Sequence, residues 1–412
     1  MTQNSPRLLL VGHHIAGSGF GRVVQHIRKA ALPHFDVHQL GLGYRGQATI
    51  TDGYHLYPEK LPNEDSGQYH SKRIGRLLNE LQPHLFLVIH DFLYIRFILE
   101  SLRYVQHPMK TCVYLALDGK IVKTRKMISP LKKVDSVVLY TNFARQQVRN
   151  LITDFPSLLK TKVHFEQIPH GVETDLFYPI GGIKSIKDQQ EGRIRAKKQL
   201  FPSLEEPEKT FLVFNGNRLD PRKRLDTTIK AFAQFAKGKS KHIKLYLHTP
   251  FSRGKIEDFI IQMAKKEGIE DRLLKLAPAY SQGVLENKTL NLLYNAADLG
   301  INTCEGEGWG LVSCEHAATG APQVLPAHTS FPEIWTGAAH LIPPTETKSV
   351  NYSNHAMYDL DAASFAQAIE KIYTDKVYRL QLAEAGYQRM QTPDYRWQNI
   401  TKRWEQHLLS FL

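Results

Sequence analysis

A chain of 412 residues is longer than one hydrophobic core normally serves, so two domains of about 150 to 200 residues each are expected. No apolar run approaches the roughly 18 residues that span a bilayer, and Cys112, Cys304 and Cys314 show neither disulfide density nor a C-x-x-C spacing, which excludes a membrane-spanning helix and a disulfide framework. Lys plus Arg outnumber Asp plus Glu by 53 to 40, and the resulting +13 favours anionic partners, yet no recognition module or aromatic-basic interleaving speaks for nucleic acid.

The first apolar run, Leu8-Leu9-Leu10-Val11, stops at Gly12-His13-His14, too early for a secretory leader, so a cytoplasmic protein is expected. In the first half, residues 7–11, 37–42, 85–90, 111–117 and 136–140 read as strands, with helical spacing over 21–31 and 71–81. In the second half, strands are expected at 210–214, 243–248, 273–276, 299–302 and 323–325, with crossover helices over 226–236 and 255–267. Alternation of this kind is the sequence form of parallel α/β sheets covered by helices, here two Rossmann-like domains in tandem. Pro179-Ile180-Gly181-Gly182 opens a polar stretch that lasts to Glu206-Pro207, so 180–207 reads as a linker between domains 1–179 and 208–392. In the final segment, 393–412, Trp397, Ile400, Trp404 and Leu408 form one helical stripe that must dock onto something.

Several segments can carry chemistry. Gly17-Ser18-Gly19-Phe20-Gly21 follows the first strand and can bring bare backbone to a phosphate or sugar, or be a plain glycine turn. After the strand at 210–214, Asn217-Arg218 and Pro221-Arg222-Lys223 stand at a strand's carboxyl end, where ligands of open α/β sheets collect. Arg218 and Lys223 there suit a diphosphate leaving group, on which negative charge grows as a sugar departs. Further on, the loop Glu305-Gly306-Glu307-Gly308-Trp309-Gly310 leads into a helix near Leu311 that carries Glu315. Glu307 is placed to meet a sugar and Glu315 ribose hydroxyls, while the amides around Gly308, Trp309, Gly310 and Leu311 point at a phosphate. Asp359-Leu360-Asp361 spells D-x-D, but Asp361 reads as a helix N-cap rather than a metal ligand. The basic stretch of Lys120, Lys123, Arg125, Lys126, Lys132 and Lys133 is either a solvated face or a peripheral contact with an anionic membrane.

These residues resemble the retaining family 4 of GT-B glycosyltransferases, glycosyl transferases group 1. The likeness rests on Ile168-Pro169-His170-Gly171-Val172-Glu173, on Asn217-Arg218 through Lys223, on the E-x7-E segment from Glu307 to Glu315, on Gly320-Ala321-Pro322, and on Glu333. It implies a GT-B fold, two facing Rossmann-like domains with a deep interdomain cleft, the first for acceptor and the second for donor, with the last helix crossing back to the first domain. It implies transfer from a UDP- or GDP-sugar to a carbohydrate, lipid or glycan acceptor, with retained configuration and no metal ion or other cofactor. By the same likeness Arg218 and Lys223 hold the diphosphate, Glu307 the sugar and Glu315 the ribose, with Gly17, Gly19, Gly308, Trp309, Gly310 and Leu311 completing the donor site. Members often carry a histidine at the end of the fifth N-terminal strand. This chain has Leu117-Asp118-Gly119 there, so Asp118 is the candidate acceptor-side group, with His90-Asp91 and His13-His14 as further candidates. The missing histidine also leaves a second reading, a non-catalytic GT-B scaffold or regulatory partner of a glycosyltransferase.

Overall fold

A computed structural model describes residues 5–15, 17–122, 129–155, 163–182, 186–249, 255–276, 285–350 and 355–412. The chain divides into two compact units, one of Met1–His170, Ser349–Ala356 and Trp397–Leu412, the other of Gly171–Lys348 and Met357–Arg396.

The first unit is built on β1 (Arg7–His13), β2 (Asp36–Leu42), β3 (Thr49–Thr51), β4 (Tyr54–Pro58), β5 (Leu85–Asp91), β6 (Lys110–Ala116), β7 (Lys120–Ile121), β8 (Ser136–Leu139) and β9 (His164–Gln167). Eight of these form a sheet in the order β3-β4-β2-β1-β5-β6-β8-β9, parallel throughout except for the antiparallel edge pair β3–β4. Leu8, Leu9, Leu10 and Val11 are fully buried, which is why β1 reads as a continuous apolar run: helices cover both faces. The chain leaves β1 toward β2 and returns on its other side at β5, so a topological switch point lies between β1 and β5. Ser18 caps the helix Gly19–Ala31 by accepting from the Gly21 amide at 3.0 Å. A Cβ on Gly21 would stand 2.4 Å from the Ile15 carbonyl oxygen, so the tight turn requires glycine there.

The final helix, Trp397–Leu409, belongs to this unit, and the expected stripe is its buried face: Trp397 stacks on His26 with ring centroids 4.1 Å apart. A return segment the sequence did not announce also joins it. There β16 (His355–Asp359), which follows β15 (Glu346–Val350), pairs antiparallel with β7 through His355↔Ile121 and Ala356↔Lys120.

The second unit holds a five-stranded parallel sheet of β10 (Phe211–Asn215), β11 (Ile243–Leu247), β12 (Leu299–Ile301), β13 (Gln323–Pro326) and β14 (His340–Ile342) in the order β11-β10-β12-β13-β14. Its switch point falls between β10 and β12. Phe232, Leu299, Phe365 and Ile369 are fully buried in its core, each contributing about 1.5–3 kcal/mol by leaving water. The strand expected at 273–276 reduces to an isolated bridge between Leu245 and Leu273 after a short turn at Glu270–Arg272.

The polar stretch 180–207 is not a linker. It contains the helix Ile186–Leu200, whose Arg193 donates to the Gly320 carbonyl at 2.7 Å and whose Lys197 donates to Asp298 at 2.6 Å. Its polarity reflects buried cations already paired, which composition alone cannot separate from solvated ones. The boundary also moves from 179/180 to 170/171, because Val172 donates to Tyr395 at 2.7 Å and Tyr178 and Ile180 donate to Asn291 and Asn295 at 3.1 and 3.0 Å. Among the described residues no helix is long and apolar enough to cross a membrane. Lys120, Lys132 and Lys133 are exposed, while Lys123, Arg125 and Lys126 lie outside the described residues.

Candidate functional site

The second unit's switch point is built by two loops that leave the carboxyl ends of β10 and β12. After β10, Asp220 accepts from the Arg222 amide at 3.1 Å and opens a single turn, Pro221–Lys223, that ends at Arg224 with φ +48°. That turn brings the Lys223 side chain inward, 9% exposed, onto the Glu307 carboxylate, itself 12% exposed. A buried chain of hydrogen bonds fixes the turn to the sheet: Asn215 donates to Thr228 at 2.8 Å, Thr228 and Thr303 share a hydroxyl contact of 2.7 Å, and Thr303 donates to the Arg224 carbonyl at 2.8 Å.

The loop after β12 is held as firmly. The Glu305 amide donates to the Arg222 carbonyl at 2.9 Å, and the Arg222 guanidinium donates to the Gly306 carbonyl at 2.5 Å. Thr329 and Ser330 both donate to the Glu307 carbonyl, at 2.8 and 2.9 Å, so the residue that meets Lys223 is positioned from a third loop, after β13. His328 donates to the Cys304 carbonyl at 2.8 Å; burial lowers its pKa to about 4, which keeps the ring neutral. Arg224 grips Asp226 at 2.8 and 2.9 Å and also meets Glu305, and those hydrogen bonds, Asp226 first, push its pKa up.

Gly310, with φ +86°, turns the chain into the helix Leu311–Ala318. A Cβ there would stand 2.6 Å from Phe331, so both the backbone angle and the space call for glycine. Trp309, 5% exposed, packs against Tyr395 at 5.8 Å. Glu315 lies on that helix, 4% exposed, and accepts from the Tyr294 hydroxyl at 2.9 Å.

Of the residues singled out from the sequence, the structure therefore gathers Lys223, Glu307, Gly308, Trp309, Gly310, Leu311 and Glu315 around one loop and helix start. Arg218 stands apart, 59% exposed and 3.7 Å from Asp220. Asp361 is the N-cap that the sequence reading made it, accepting from the amides of Ala363 and Ser364. Arg222, Arg224, Thr329, Ser330 and His328 escaped the sequence reading because their work is done on carbonyls and carboxylates distant in sequence.

The remaining candidates lie in the first unit. Gly17 lies in the turn after β1, with φ +73°, and Gly19 opens the helix that follows. His13 ends β1 and His90 is next to last on β5 at that unit's switch point, with rings 5.1 Å apart and Phe20 stacked on His13. Burial, and then His13, lowers the His90 pKa to about 3. His14 meets the edge of Tyr44, and His170 is a core residue in contact with Tyr114, Tyr140 and Trp397. Asp118 has a partner that no local pattern announces: His355, 3% exposed, places its Nδ1 3.1 Å from the Asp118 carboxylate. The return segment thus supplies a histidine beside the position where the sequence lacks one.

Residues 196–389 match the family described as glycosyl transferases group 1. In fold the chain is similar to a sucrose-phosphate synthase from Thermosynechococcus elongatus, at 18% identity and a TM-score of 0.72 over 99% of each chain. It is similar also to Anabaena HepE in complex with UDP and glucose, at 15% identity and a TM-score of 0.67 over 98% of this chain and 100% of that one. A third similar structure is WaaG, a glycosyltransferase involved in lipopolysaccharide biosynthesis, at 13% identity and a TM-score of 0.69 over 97% of this chain and 99% of that one. No curated protein matches. The fold is GT-B, and the family match indicates a glycosyltransferase.

Proposed function

We propose that this chain moves a sugar from a nucleotide-diphosphate sugar, UDP- or GDP-linked, to a hydroxyl of a carbohydrate, lipid or glycan acceptor, with retained configuration. The observation that carries the reading is the pairing of Lys223 with Glu307 where two loops meet at a switch point, beside a helix start whose cap is Gly310. Without donor, the carboxylate neutralises the lysine. With donor bound, a phosphate oxygen takes the lysine and Glu307 turns to a sugar hydroxyl, so the site is held ready for a group that carries both.

As the bond between the sugar's anomeric carbon and the diphosphate oxygen breaks, negative charge grows on that oxygen, and Lys223 and the amides at the helix start stabilise it. Arg218, exposed, swings onto the diphosphate. The acceptor oxygen forms its new bond on the same face, and its proton passes to the departing phosphate. The cations are side chains, so no metal ion is assigned to this step. Glu315, oriented by Tyr294, faces the ribose. Asp118, with His355 behind it, is the acceptor-side group. The UDP and glucose in the Anabaena structure support a UDP-sugar as the first donor to test. Release of nucleoside diphosphate from a panel of UDP-, GDP- and ADP-sugars, lost in Lys223→Ala, tests the reading.

A further inference from the structure

A second cluster of chemically able side chains lies far along the first unit's sheet from its switch point, at the amino-terminal end of β2 and β4. Asp36 and His38 are two apart on β2 and therefore share a face. His55 on β4 is in direct register with His38. The pleat and the register together bring ligand atoms of two imidazoles and one carboxylate within 4.8 Å of one another.

We propose that Asp36, His38 and His55 bind one zinc-like divalent cation. The Nε2 of His38 is 3.1 Å from one Asp36 oxygen, and the Nε2 of His55 is 3.7 Å from the other. Bonds of about 2.0–2.1 Å in a tetrahedral zinc centre set ligand atoms roughly 3.3 Å apart, so these spacings bracket the expected one. The longer distance exceeds a hydrogen bond, so a shared carboxylate does not by itself account for where His55 stands. The two rings stack with centroids 4.4 Å apart and both bring Nε2 to the same carboxylate, so seating one ion requires one ring to turn out of the stack.

The donor set of two imidazoles and one carboxylate suits zinc and its first-row neighbours rather than magnesium or calcium. His38 has the outer partner that metal-bound histidines have: its Nδ1 meets the Tyr57 hydroxyl at 3.0 Å, which orients the ring with Nε2 toward the cluster. His38 is buried while Asp36 and His55 are each about one-third exposed, which provides an entry path and room for water as a further ligand. The site ties β4 to β2 at the end of the sheet opposite the switch point, so it is a structural clip and takes no part in sugar transfer. His164, Glu166 and His407 also converge, but there the Nε2 of His407 already lies 3.2 Å from the Ser136 hydroxyl.

The test is titration of untagged, chelator-stripped protein with Co2+, followed by the visible ligand-field absorption of the bound ion and by competition with Zn2+. One equivalent binds wild type, Zn2+ displaces it, and Zn2+ raises the melting temperature. His55→Gln, a substitution on a half-exposed strand, abolishes the absorption, and Tyr57→Phe weakens binding about 10- to 100-fold. His164→Gln changes nothing. The proposal is overturned if wild type takes up no Co2+, if His55→Gln binds as wild type does, or if binding is lost in His164→Gln instead.

Discussion

Lys223 and Glu307 are 84 residues apart in sequence and meet side chain to side chain with little exposure to water. Two charges so placed neutralise each other, and each is held by a separate loop. Removing one partner strands the other, which for buried pairs costs about 3–5 kcal/mol. Glu307→Ala therefore lowers the melting temperature of the free protein, and the double variant with Lys223→Ala loses less than the sum of the two. Added UDP recovers stability in Glu307→Ala, because its phosphates replace the carboxylate on Lys223. Thermal denaturation of the four proteins, with and without UDP, checks both statements.

Arg224 acts through what it holds in place. Its fork on Asp226 and its contact with Glu305 lock the turn that carries Lys223 against the loop that carries Glu307. Arg224→Lys keeps the charge and loses the fork. Donor KM is expected to rise about tenfold with a smaller change in kcat, as initial rates at varied donor will show.

Gly310 makes a steric prediction. Alanine there meets Phe331 and takes on a left-handed backbone angle, a combination expected to cost about 1–3 kcal/mol. Phe331→Leu alongside Gly310→Ala relieves the clash but not the angle, so it restores part of the lost stability. Chemical denaturation of the single and double variants measures the two parts.

Asp118 and His355, in the proposed acceptor-side role, make a prediction that separates transfer from nucleotide binding. His355→Gln and Asp118→Asn leave nucleotide binding unchanged and slow transfer to acceptor by about 10²-fold, because the acceptor is no longer held where its proton reaches the departing phosphate. Calorimetric titration with UDP beside a transfer assay distinguishes this from a general loss of fold.

Acid should weaken the protein through its buried histidines. Burial lowers the pKa of His90 and His316 to about 3 and that of His328 to about 4, whereas unfolded histidine titrates near 6.5. Between those values the unfolded chain binds protons that the folded one refuses, so their stabilising effect is full above pH 6.5 and declines as pH falls. Each withdraws up to about 1.4 kcal/mol per pH unit. Melting temperature should drop steadily from pH 7 to pH 5, and less steeply in His316→Gln if that variant folds.

The alternation of apolar runs made the two α/β units readable, and the glycine loop around Gly308 marked the helix start beside which Lys223 meets Glu307, because local spacing decides both. The polar helix Ile186–Leu200 was misread as a linker because pairing of Arg193 and Lys197 with groups about 100 residues away leaves no local trace. Short strands such as β3 and β9 carry too few apolar residues to announce themselves. His355 could not be found from sequence at all: its partner Asp118 is joined to it only by the return of the chain to the first unit. Arg222 and Arg224 stand beside Lys223 in the sequence, yet their roles depend on which carbonyl and carboxylate the fold brings to them.

The most direct test of the central claim is nucleotide release. Purified protein is incubated with UDP-, GDP- and ADP-sugars, and nucleoside diphosphate is quantified against time for wild type and Lys223→Ala. At least one donor should be turned over, and the variant should be slower by about 10²–10³-fold, the effect of losing one stabiliser of developing charge. If no nucleotide-sugar is consumed and none shifts the melting temperature at saturation, the pairing of Lys223 with Glu307 is structural and the proposed donor site is wrong.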